Sequence, residues 1–304
     1  MKVLVTGTGF VGSHLCDELL RRGHEVKVLI HYDDRKIAHI KDQVEIDRGD
    51  IRYMDECFEA VEGVDAVAHL AALIHVDRSR RFPQLFWETN VQGTMNMLEA
   101  ARKFDTKFLQ MSTCEVLGHI PTGKAAEDFS FKQPRSPYAA SKYAAEAYCH
   151  SYAYTYNLPV NIARCFNICG PRQKYGGKGA VIPIFINKVL HNQPPTIYGT
   201  GEQTRDFTDV RDIVKGLALL LESDYRGELF HLCSGVERSI NDLARLVLNA
   251  CDSPLEPIHI LDRPGELIRS VGDYSKAKKL LNWEPTIAFD QTMKDTVSYY
   301  REWI

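Results

Sequence analysis

Short apolar runs alternate with amphipathic stretches of helical length through the first two thirds of the chain. The apolar runs predict strands at residues 2–5, 26–30, 66–70, 108–112 and 160–164. The stretches between them predict helices at residues 13–22, 54–61, 84–103 and 139–156. The strands are rich in Val, Ile and Leu without polar alternation, as is typical of strands covered on both faces. Because strands that alternate with crossover helices pair in parallel, the pattern indicates an α/β fold with a doubly wound parallel sheet.

The regular alternation of predicted strands and helices ends after about Gly170. Gly, Pro and Lys cluster in residues 171–179, and further helices are predicted at residues 183–191, 213–221, 240–250 and 276–281. One further strand is predicted at residues 228–231. We therefore expect a first domain over residues 1–170 and a smaller C-terminal α/β lobe over residues 171–304 that partly returns to the first sheet.

The composition narrows the class of partner. Hydrophobic residues make up 44% of the chain and charged residues 25%, and 37 basic against 40 acidic residues leave a net charge of −3. Because the chain has no large positive charge to attract phosphate groups, nucleic acid and anionic membrane surfaces are disfavoured as partners. No apolar run approaches the roughly 20 residues of a membrane span, and no signal peptide is recognisable, so we expect a cytoplasmic protein. The eight cysteines form no CxxC pair, which predicts free thiols and no metal site.

A glycine-rich turn follows the first predicted strand and opens the first predicted helix. Its spacing, GxGxxG, lets the backbone turn tightly and approach a pyrophosphate that the helix N-terminus then stabilises. The position between a strand and a helix makes the motif far more specific than its spacing alone. We predict a dinucleotide site that contains Gly7, Gly9, Phe10, Val11 and Gly12.

Later strand ends supply further candidates for the same site. An acid at the end of the second strand usually receives the adenosine ribose of NAD, and Asp33 or Asp34 comes a few residues late for this role. The acid favours NAD, whereas Arg35 could meet the 2′-phosphate of NADP, which stays open as the alternative. The remaining candidates are an adenine contact and a backbone wall beneath the cofactor, assigned to Asp50, Ile51, Leu70, Ala71 and Ala72.

The catalytic signal is a tyrosine and a lysine four residues apart on one helix face, Tyr138 and Lys142. An ammonium beside a phenol favours the phenolate, which can take a proton from a hydroxyl group while hydride leaves the same carbon. Thr113, at the end of the preceding strand, can donate to that hydroxyl and orient it. Together the three residues predict alcohol oxidation.

With these residues in place, the chain resembles the extended short-chain dehydrogenases/reductases of the NAD-dependent sugar-nucleotide epimerase/dehydratase family, which have a Rossmann fold. The matching segments span nearly the whole length: residues 7–12, 69–72, 90–94, 112–118, 136–142, 164–172, 201–207, 263–266 and 281–285. Two positions depart from the family pattern. Gly7 and Gly9 are one residue closer than in the usual loop, and Leu117 stands where a tyrosine is usual.

The resemblance implies a tightly held NAD that oxidises C4 of a nucleotide-linked hexose, a UDP-sugar, and is regenerated in the same cycle. It implies that Tyr138 is the base, that Lys142 is its partner and a ribose contact, and that Thr113 orients the substrate. It places Asn90 in the cofactor site. It also implies that the nucleotide diphosphate is held by Asn167, Arg205 and Arg263. A homodimer built on the helices at 84–103 and 139–156 is a further implication.

The pair Cys114 and Glu115 decides which reaction ranks first. Once C4 is a ketone, the C5 proton is acidified, and Glu115 can remove it. Glucose-type 4,6-dehydratases of the family carry Asp-Glu at these two positions, so Cys114 stands where the acid would be. A thiol, with a reference pKa of about 8.5, is a weaker acid than a carboxyl. The Thr-Cys-Glu string also resembles the dehydratase of tunicamycin biosynthesis, which makes a 5,6-unsaturated UDP-N-acetylglucosamine product.

Three reactions therefore remain open. A 4,6- or 5,6-dehydratase of a UDP-hexose or UDP-N-acetylhexosamine ranks first, because a 4-epimerase leaves Glu115 without a task. The 4-epimerase ranks second and a UDP-glucuronate decarboxylase third. A non-catalytic NAD-binding protein is the remote alternative, since such proteins usually lack the tyrosine or the lysine that this chain retains.

Overall fold

The computed structural model describes residues 1–129, 132–174, 180–262 and 267–302. The strands are β1 (Lys2–Thr6), β2 (Glu25–Ile30), β3 (Glu45–Arg48), β4 (Ala66–His69), β5 (Lys107–Thr113), β6 (Val160–Cys165), β7 (Asn167–Cys169), β8 (Thr196–Tyr198), β9 (Thr204–Asp209), β10 (Leu229–Leu232), β11 (Glu237–Ser239), β12 (Ile258–Ile260) and β13 (Arg269–Ser270). The helices are α1 (Phe10–Arg21), α2 (Met54–Val61), α3 (Val76–Arg81), α4 (Pro83–Trp87), α5 (Gly93–Phe104), α6 (Pro137–Tyr156), α7 (Val181–Leu190), α8 (Val210–Glu222), α9 (Ile240–Ala250), α10 (Ser275–Leu281) and α11 (Phe289–Arg301). Short 3₁₀ turns span Arg35–Gln43 and Cys114–Leu117.

A seven-stranded sheet in the order β10-β6-β5-β4-β1-β2-β3 forms the centre of the molecule. Every neighbouring pair in it is parallel. The strand order runs one way from β1 to β3 and the other way from β4 to β6, so the connections reverse between β1 and β4. Open α/β sheets bind ligands at this switch point, outside the carboxyl ends of the strands. The predicted doubly wound Rossmann-type α/β fold is confirmed.

Both faces of this sheet are covered by apolar cores. Val3 and Val5 of β1 pack with Leu15 and Leu19 of α1, whereas Leu4 points to the opposite face. On the first face α8 lies beside α1, and on the second lie α2, α5 and α6. Burial on both faces explains why these strands show no polar alternation.

Several predicted helices begin or end a few residues away from those in the structure, and two of these differences have a clear physical reason. The helix predicted at 84–103 is interrupted: α4 is followed by a π-helical turn over Glu88–Gln92 and then by α5. At the start of α5, a Cβ added to Gly93 would lie 2.6 Å from Cδ1 of Ile51, so there is no room for a side chain at this position. The helix predicted from residue 139 begins at Pro137, because the Ser136 hydroxyl accepts the Ala139 N–H at 3.1 Å and caps it.

The chain after β7 contributes to two places. Helices α7, α9 and α11 enclose a small core with β9, which includes Phe185, Phe207, Leu243 and Val297. In contrast, β10 pairs with β6 at the edge of the main sheet and α8 packs against α1. Elements that periodicity did not predict, such as β3, β9 and α11, are short and polar or carry mixed patterns. In the part of the chain that the structure describes, no helix is both long and apolar enough to cross a membrane.

Candidate active site

A cleft of about 480 Å³ opens at the carboxyl ends of β1, β4, β5 and β6. It combines the glycine turn, the end of β4, the end of β5, the start of α6 and the segment after β6. The lining residues that the sequence singled out are Gly7, Gly9, Phe10, Val11, Gly12, Leu70, Ala71, Ala72, Thr113, Cys114, Glu115, Tyr138 and Asn167. The largest part of the predicted site therefore converges on one cleft.

The glycine turn has the shape that a dinucleotide requires. Gly7 has φ +79°, and a Cβ added there would lie 2.8 Å from Cα of Ala71. A Cβ on Gly12 would lie 2.1 Å from the Gly7 carbonyl oxygen. Gly9, in contrast, has nothing within 4 Å of an added Cβ and lines the cleft. Because α1 also starts without a side-chain cap, its first N–H groups are available to a pyrophosphate. The shortened spacing thus fits NAD.

Residues 70–72, which form the wall of the cleft beside this turn, are held in place by hydrogen bonds to Thr6. The Thr6 hydroxyl accepts the backbone N–H groups of Leu70 and Ala71, both at 3.2 Å. The same hydroxyl is 2.9 Å from Nδ1 of His69, whose ring is fully buried. Burial lowers the pKa of His69 to about 3, so the ring is neutral. A neutral hydrogen-bonded histidine fixes the chain just before it enters the cleft.

Asn90 lies in the π-helical turn and does not line the cleft. Its Oδ1 accepts the Leu73 N–H at 2.8 Å, and its Nδ2 donates to the Leu73 carbonyl at 2.9 Å and to the Ser141 hydroxyl at 2.9 Å. The amide is therefore engaged by protein groups. Asn90 joins the wall segment to α6 rather than facing the cleft directly.

Four other predicted cofactor residues also lie outside the cleft lining: Lys142, which is buried in α6, and Asp33, Asp50 and Ile51. Asp33 is exposed, and both of its carboxylate oxygens accept hydrogen bonds from Arg35. Asp50 is bound by the Arg52 guanidinium at 2.8 Å. Ile51 is buried in the core with α2 and α5. Within the described residues, neither aspartate has an oxygen pair free of a basic partner.

The end of β5 and the start of α6 carry the reactive groups. Thr113 ends β5, and its hydroxyl oxygen accepts the Glu115 N–H at 3.3 Å as the 3₁₀ turn begins. Tyr138 lies in the first turn of α6 and lines the cleft with Thr113. Burial raises the pKa of Tyr138, and its interaction with the Thr113 side chain lowers it. Lys142 is 4% exposed one turn further along α6, and burial lowers its pKa to about 8.

Two side chains of the 3₁₀ turn have shifted proton affinities. Burial raises the pKa of Glu115, and the nearby charge of Arg205 lowers it. Burial raises the pKa of Cys114 to about 12. The thiol therefore keeps its proton at neutral pH and gives it up reluctantly. Glu115 is the group in this turn that can cycle between carboxylate and acid.

Of the three predicted substrate residues, the structure describes Asn167 and Arg205. Asn167 lines the cleft, and its amide donates to the Asp206 carbonyl at 3.2 Å. Arg205, on the neighbouring strand β9, interacts electrostatically with both Glu115 and Cys114. Arg263 lies outside the described residues. The helical and strand pattern gave no sign of Arg205 near Glu115, because about 90 residues separate them in the chain.

Sequence reasoning missed polar groups that face the same space. Among the described residues, the Ser112 hydroxyl and the Oε1 atom of Gln173 are buried without a hydrogen-bond partner, and both residues line the cleft. A buried polar group without a partner is costly unless a ligand satisfies it. Ser112 stood within a matched motif, but nothing in its spacing set it apart. Leu117, which stands where the family usually has a tyrosine, is fully buried in a small apolar cluster.

Known proteins resemble this chain over its full length. A family model described as GDP-mannose 4,6 dehydratase matches residues 4–296. The dTDP-glucose 4,6-dehydratase of Streptomyces niveus is 35% identical, over 99% of this chain and 93% of its own length.

Solved structures agree with both the fold and the cofactor. The UDP-glucose 4-epimerase of Thermotoga maritima with UDP-glucose has a TM-score of 0.94 and 31% identity and covers 99% of both chains. The dTDP-glucose 4,6-dehydratase DesIV of Streptomyces venezuelae, with NAD and TYD bound, has a TM-score of 0.92 and 33% identity, over 99% of this chain and 97% of that one. NAD is thus the cofactor that both the glycine turn and the relatives support. The chain belongs to the GDP-mannose 4,6 dehydratase family, extended short-chain dehydrogenases/reductases that bind NAD and act on nucleotide sugars.

Proposed function

We propose that the protein is an NAD-dependent dehydratase of a UDP-hexose or UDP-N-acetylhexosamine that acts through a transient C4 ketone. The observation that carries this proposal is Glu115, a largely buried carboxyl group in the cleft beside Tyr138 and Cys114. An enzyme that only inverts C4 has no use for a second proton acceptor there. Removal of water from C5 and C6 requires one.

The first step is oxidation at C4. Tyr138 takes the proton of the C4 hydroxyl, and Thr113, which lines the cleft with it, orients that hydroxyl. NAD held at the glycine turn would supply the acceptor for the hydride that leaves C4. Lys142 favours the phenolate form of Tyr138 from the next turn of α6. The product of this step is the 4-keto sugar.

The second step is elimination across C5 and C6. The ketone acidifies the C5 proton, and Glu115 takes it while the electron pair forms the C5–C6 double bond and the C6 hydroxyl leaves. Burial makes the Cys114 thiolate costly, so Cys114 is a weak proton donor. The proton that Glu115 has just taken is the better source for the departing oxygen. Glu115 regains a proton from solvent and gives it to C5 when hydride returns to C6, which yields the 4,6-dehydratase product. Hydride return to C4, with the Tyr138 proton going back to the C4 oxygen, yields the 5,6-unsaturated product.

Asn167, Arg205 and Arg263 are proposed to hold the nucleotide diphosphate, with residues 171–304 forming most of the substrate lobe. Cations beside a diphosphate gain charge-assisted hydrogen bonds. The second candidate function is 4-epimerisation, which the same Thr113, Tyr138 and Lys142 would serve. Decarboxylation of a UDP-glucuronate ranks third, because loss of carbon dioxide from C5 needs no base there.

The reactions are separated by products formed in deuterated water from UDP-glucose, UDP-N-acetylglucosamine and UDP-glucuronate. Loss of one water from a hexose supports the dehydratase. Unchanged mass with an inverted C4 supports the epimerase, and loss of carbon dioxide supports the decarboxylase. Cofactor that stays oxidised with all three sugar nucleotides points to a non-catalytic NAD-binding protein.

A homodimer is proposed through the exposed sides of α4 and α6. Several aromatic side chains there face solvent in a single chain: Trp87, Tyr143, Tyr148, Tyr154 and Tyr156. Aromatic residues are enriched at protein interfaces relative to the rest of the surface. Light scattering should give a dimer mass at micromolar concentration, and a monomer would contradict the proposal. A cytoplasmic location remains a prediction from the sequence.

A further inference from the structure

A fully buried ion pair lies one turn beyond Lys142 on α6. Glu146 of α6 is 2% exposed and Arg164 of β6 is 0% exposed. The Arg164 Nε donates to Glu146 Oε1 at 3.0 Å, and its Nη2 donates to Oε2 at 2.7 Å. Because the planar guanidinium binds both carboxylate oxygens, the pair allows a single rotation of α6 against β6.

A histidine completes the cluster from the other side. The Arg164 Nη1 donates to Nε2 of His231 at 3.0 Å, and Nδ1 of His231 donates to the Ala125 carbonyl at 3.0 Å. The His231 backbone N–H donates to the Glu127 carboxylate at 2.8 Å. Burial and the Arg164 charge lower the pKa of His231 to about 3, so the ring is a neutral acceptor. The guanidinium is thus tied to β10 and to the segment before α6.

The spacing relates this cluster to the chemistry. Tyr138, Lys142 and Glu146 stand at intervals of four residues and share one face of α6. A buried ion pair loses much of its attraction to the cost of desolvation, so stability alone is a weak reason for it. Its place directly behind Lys142 gives it a second task.

We propose that Glu146 and Arg164 are positioning residues, which fix the rotation of α6 and keep Lys142 in its ammonium form. The inference rests on the proposed function, because Lys142 acts there as the partner of Tyr138. Rotation of α6 would move Tyr138 away from the cleft that it lines and would displace Lys142, buried one turn further along, at the same time. Loss of the Glu146 charge would remove the anion that favours the ammonium.

The surroundings of Lys142 contain few groups that can offset its charge. Glu146 and Cys149 face it from α6 itself, Cys165 faces it from β6 and His69 faces it from β4. Burial raises the pKa of both thiols and lowers that of His69, so all three are neutral at pH 7. Within the described surroundings of Lys142, Glu146 therefore supplies the negative charge.

The first test follows C4 oxidation by NADH formation in a single turnover across pH. In Glu146→Gln, the alkaline limb of the rate should move down by roughly one unit, because Lys142 loses its anion and Arg164 is left unpaired. In the double variant Glu146→Gln with Arg164→Met, the limb should return part of the way. Asp212→Asn, a buried carboxylate bound to Thr286 on the far side of α8, should lose stability with the limb unmoved. A limb at the same pH in all variants would overturn the proposal.

A second readout needs no substrate. The pKa of Lys142 is about 8 in the folded protein and 10.5 in the unfolded chain, so the folded protein loses this proton at lower pH. The free energy of unfolding should therefore rise, compared with that of Lys142→Met, as pH goes from about 8 towards 10.5. In the Glu146→Gln background this rise should begin at lower pH. A protein that oxidises no nucleotide sugar but gives this displaced curve refutes the proposed function alone. An undisplaced curve refutes the inference.

Discussion

The backbone N–H of Glu115 donates a hydrogen bond to the Thr113 hydroxyl oxygen at 3.3 Å. This contact joins the residue proposed to orient the C4 hydroxyl to the residue proposed to act at C5. Because Thr113 caps the short 3₁₀ turn that carries Glu115, both side chains belong to one segment of the cleft lining. The proposed oxidation and elimination would then act on one sugar in one place.

Glu115→Gln should separate the two steps. The amide keeps the shape of the side chain but cannot take the C5 proton, so C4 oxidation should continue while water loss stops. NADH absorbance should rise and persist, with no deuterium exchange at C5. Glu18→Gln, which changes a buried carboxyl remote from the cleft on α1, should leave turnover intact. Full turnover by Glu115→Gln would show that the C5 base is another group.

Tyr138→Phe should abolish the first step. Loss of a positioned general base costs about 10²- to 10⁴-fold in rate, so no NADH should accumulate with any sugar nucleotide. NAD affinity, measured by calorimetry, should change little. Tyr143→Phe is the matched control, because that tyrosine lies on the same helix with its side chain partly exposed. Equal losses in the two variants would argue against the role of Tyr138.

Two glycine variants should distinguish cofactor binding from folding. Gly9 has open space where a Cβ would stand and φ −73°, so Gly9→Ala should fold normally but bind NAD weakly. Gly12→Ala would press a methyl group against the Gly7 carbonyl oxygen and should lower the melting temperature with or without NAD. Melting curves with and without NAD measure both effects. Normal NAD affinity in Gly9→Ala would place the pyrophosphate elsewhere.

Acid should destabilise the fold through His14. Burial lowers the pKa of His14 from 6.5 to about 4, where its ring contacts the Pro171 carbonyl at 3.0 Å. The unfolded chain binds the proton first, so stability is lost as pH falls from 6.5 to 4, by up to about 3 kcal/mol. Urea unfolding should show a flatter pH dependence in His14→Gln over this range. His191→Gln, at an exposed position, should keep the parent slope, and equal slopes in all three proteins would refute the prediction.

The parts of the fold that the sequence predicted correctly are those with strong local periodicity. The apolar run that contains Val3, Leu4 and Val5 predicts a strand covered on both faces, and the glycine turn predicts the start of the helix that follows it. The π-helical turn at Glu88–Gln92 escaped prediction, because apolar spacing and residue propensity indicate a helix without distinguishing one type of helical turn from another. Strand β9 escaped because its residues, Thr204–Asp209, are mostly polar.

The site divides in the same way. The positions of Thr113 and Tyr138 could be predicted because each lies at the boundary of an element with a clear local pattern. Thr113 ends a strand, and Tyr138 lies in the first turn of a capped helix. The approach of Arg205 to Glu115 depends on pairing between distant segments, which no local pattern encodes. Asn90 was assigned to the cofactor from its motif, whereas its amide is spent on Leu73 and Ser141. Such contacts become visible only in three dimensions.

Loss of water from a nucleotide sugar through Glu115 would be visible in the mass of the product that the unmodified protein forms in deuterated water from UDP-glucose and UDP-N-acetylglucosamine. We expect a product lighter by one water from at least one of them, carrying solvent deuterium if hydride returns to C6. A product of unchanged composition with inverted C4 would contradict this expectation and leave Glu115 without a chemical role.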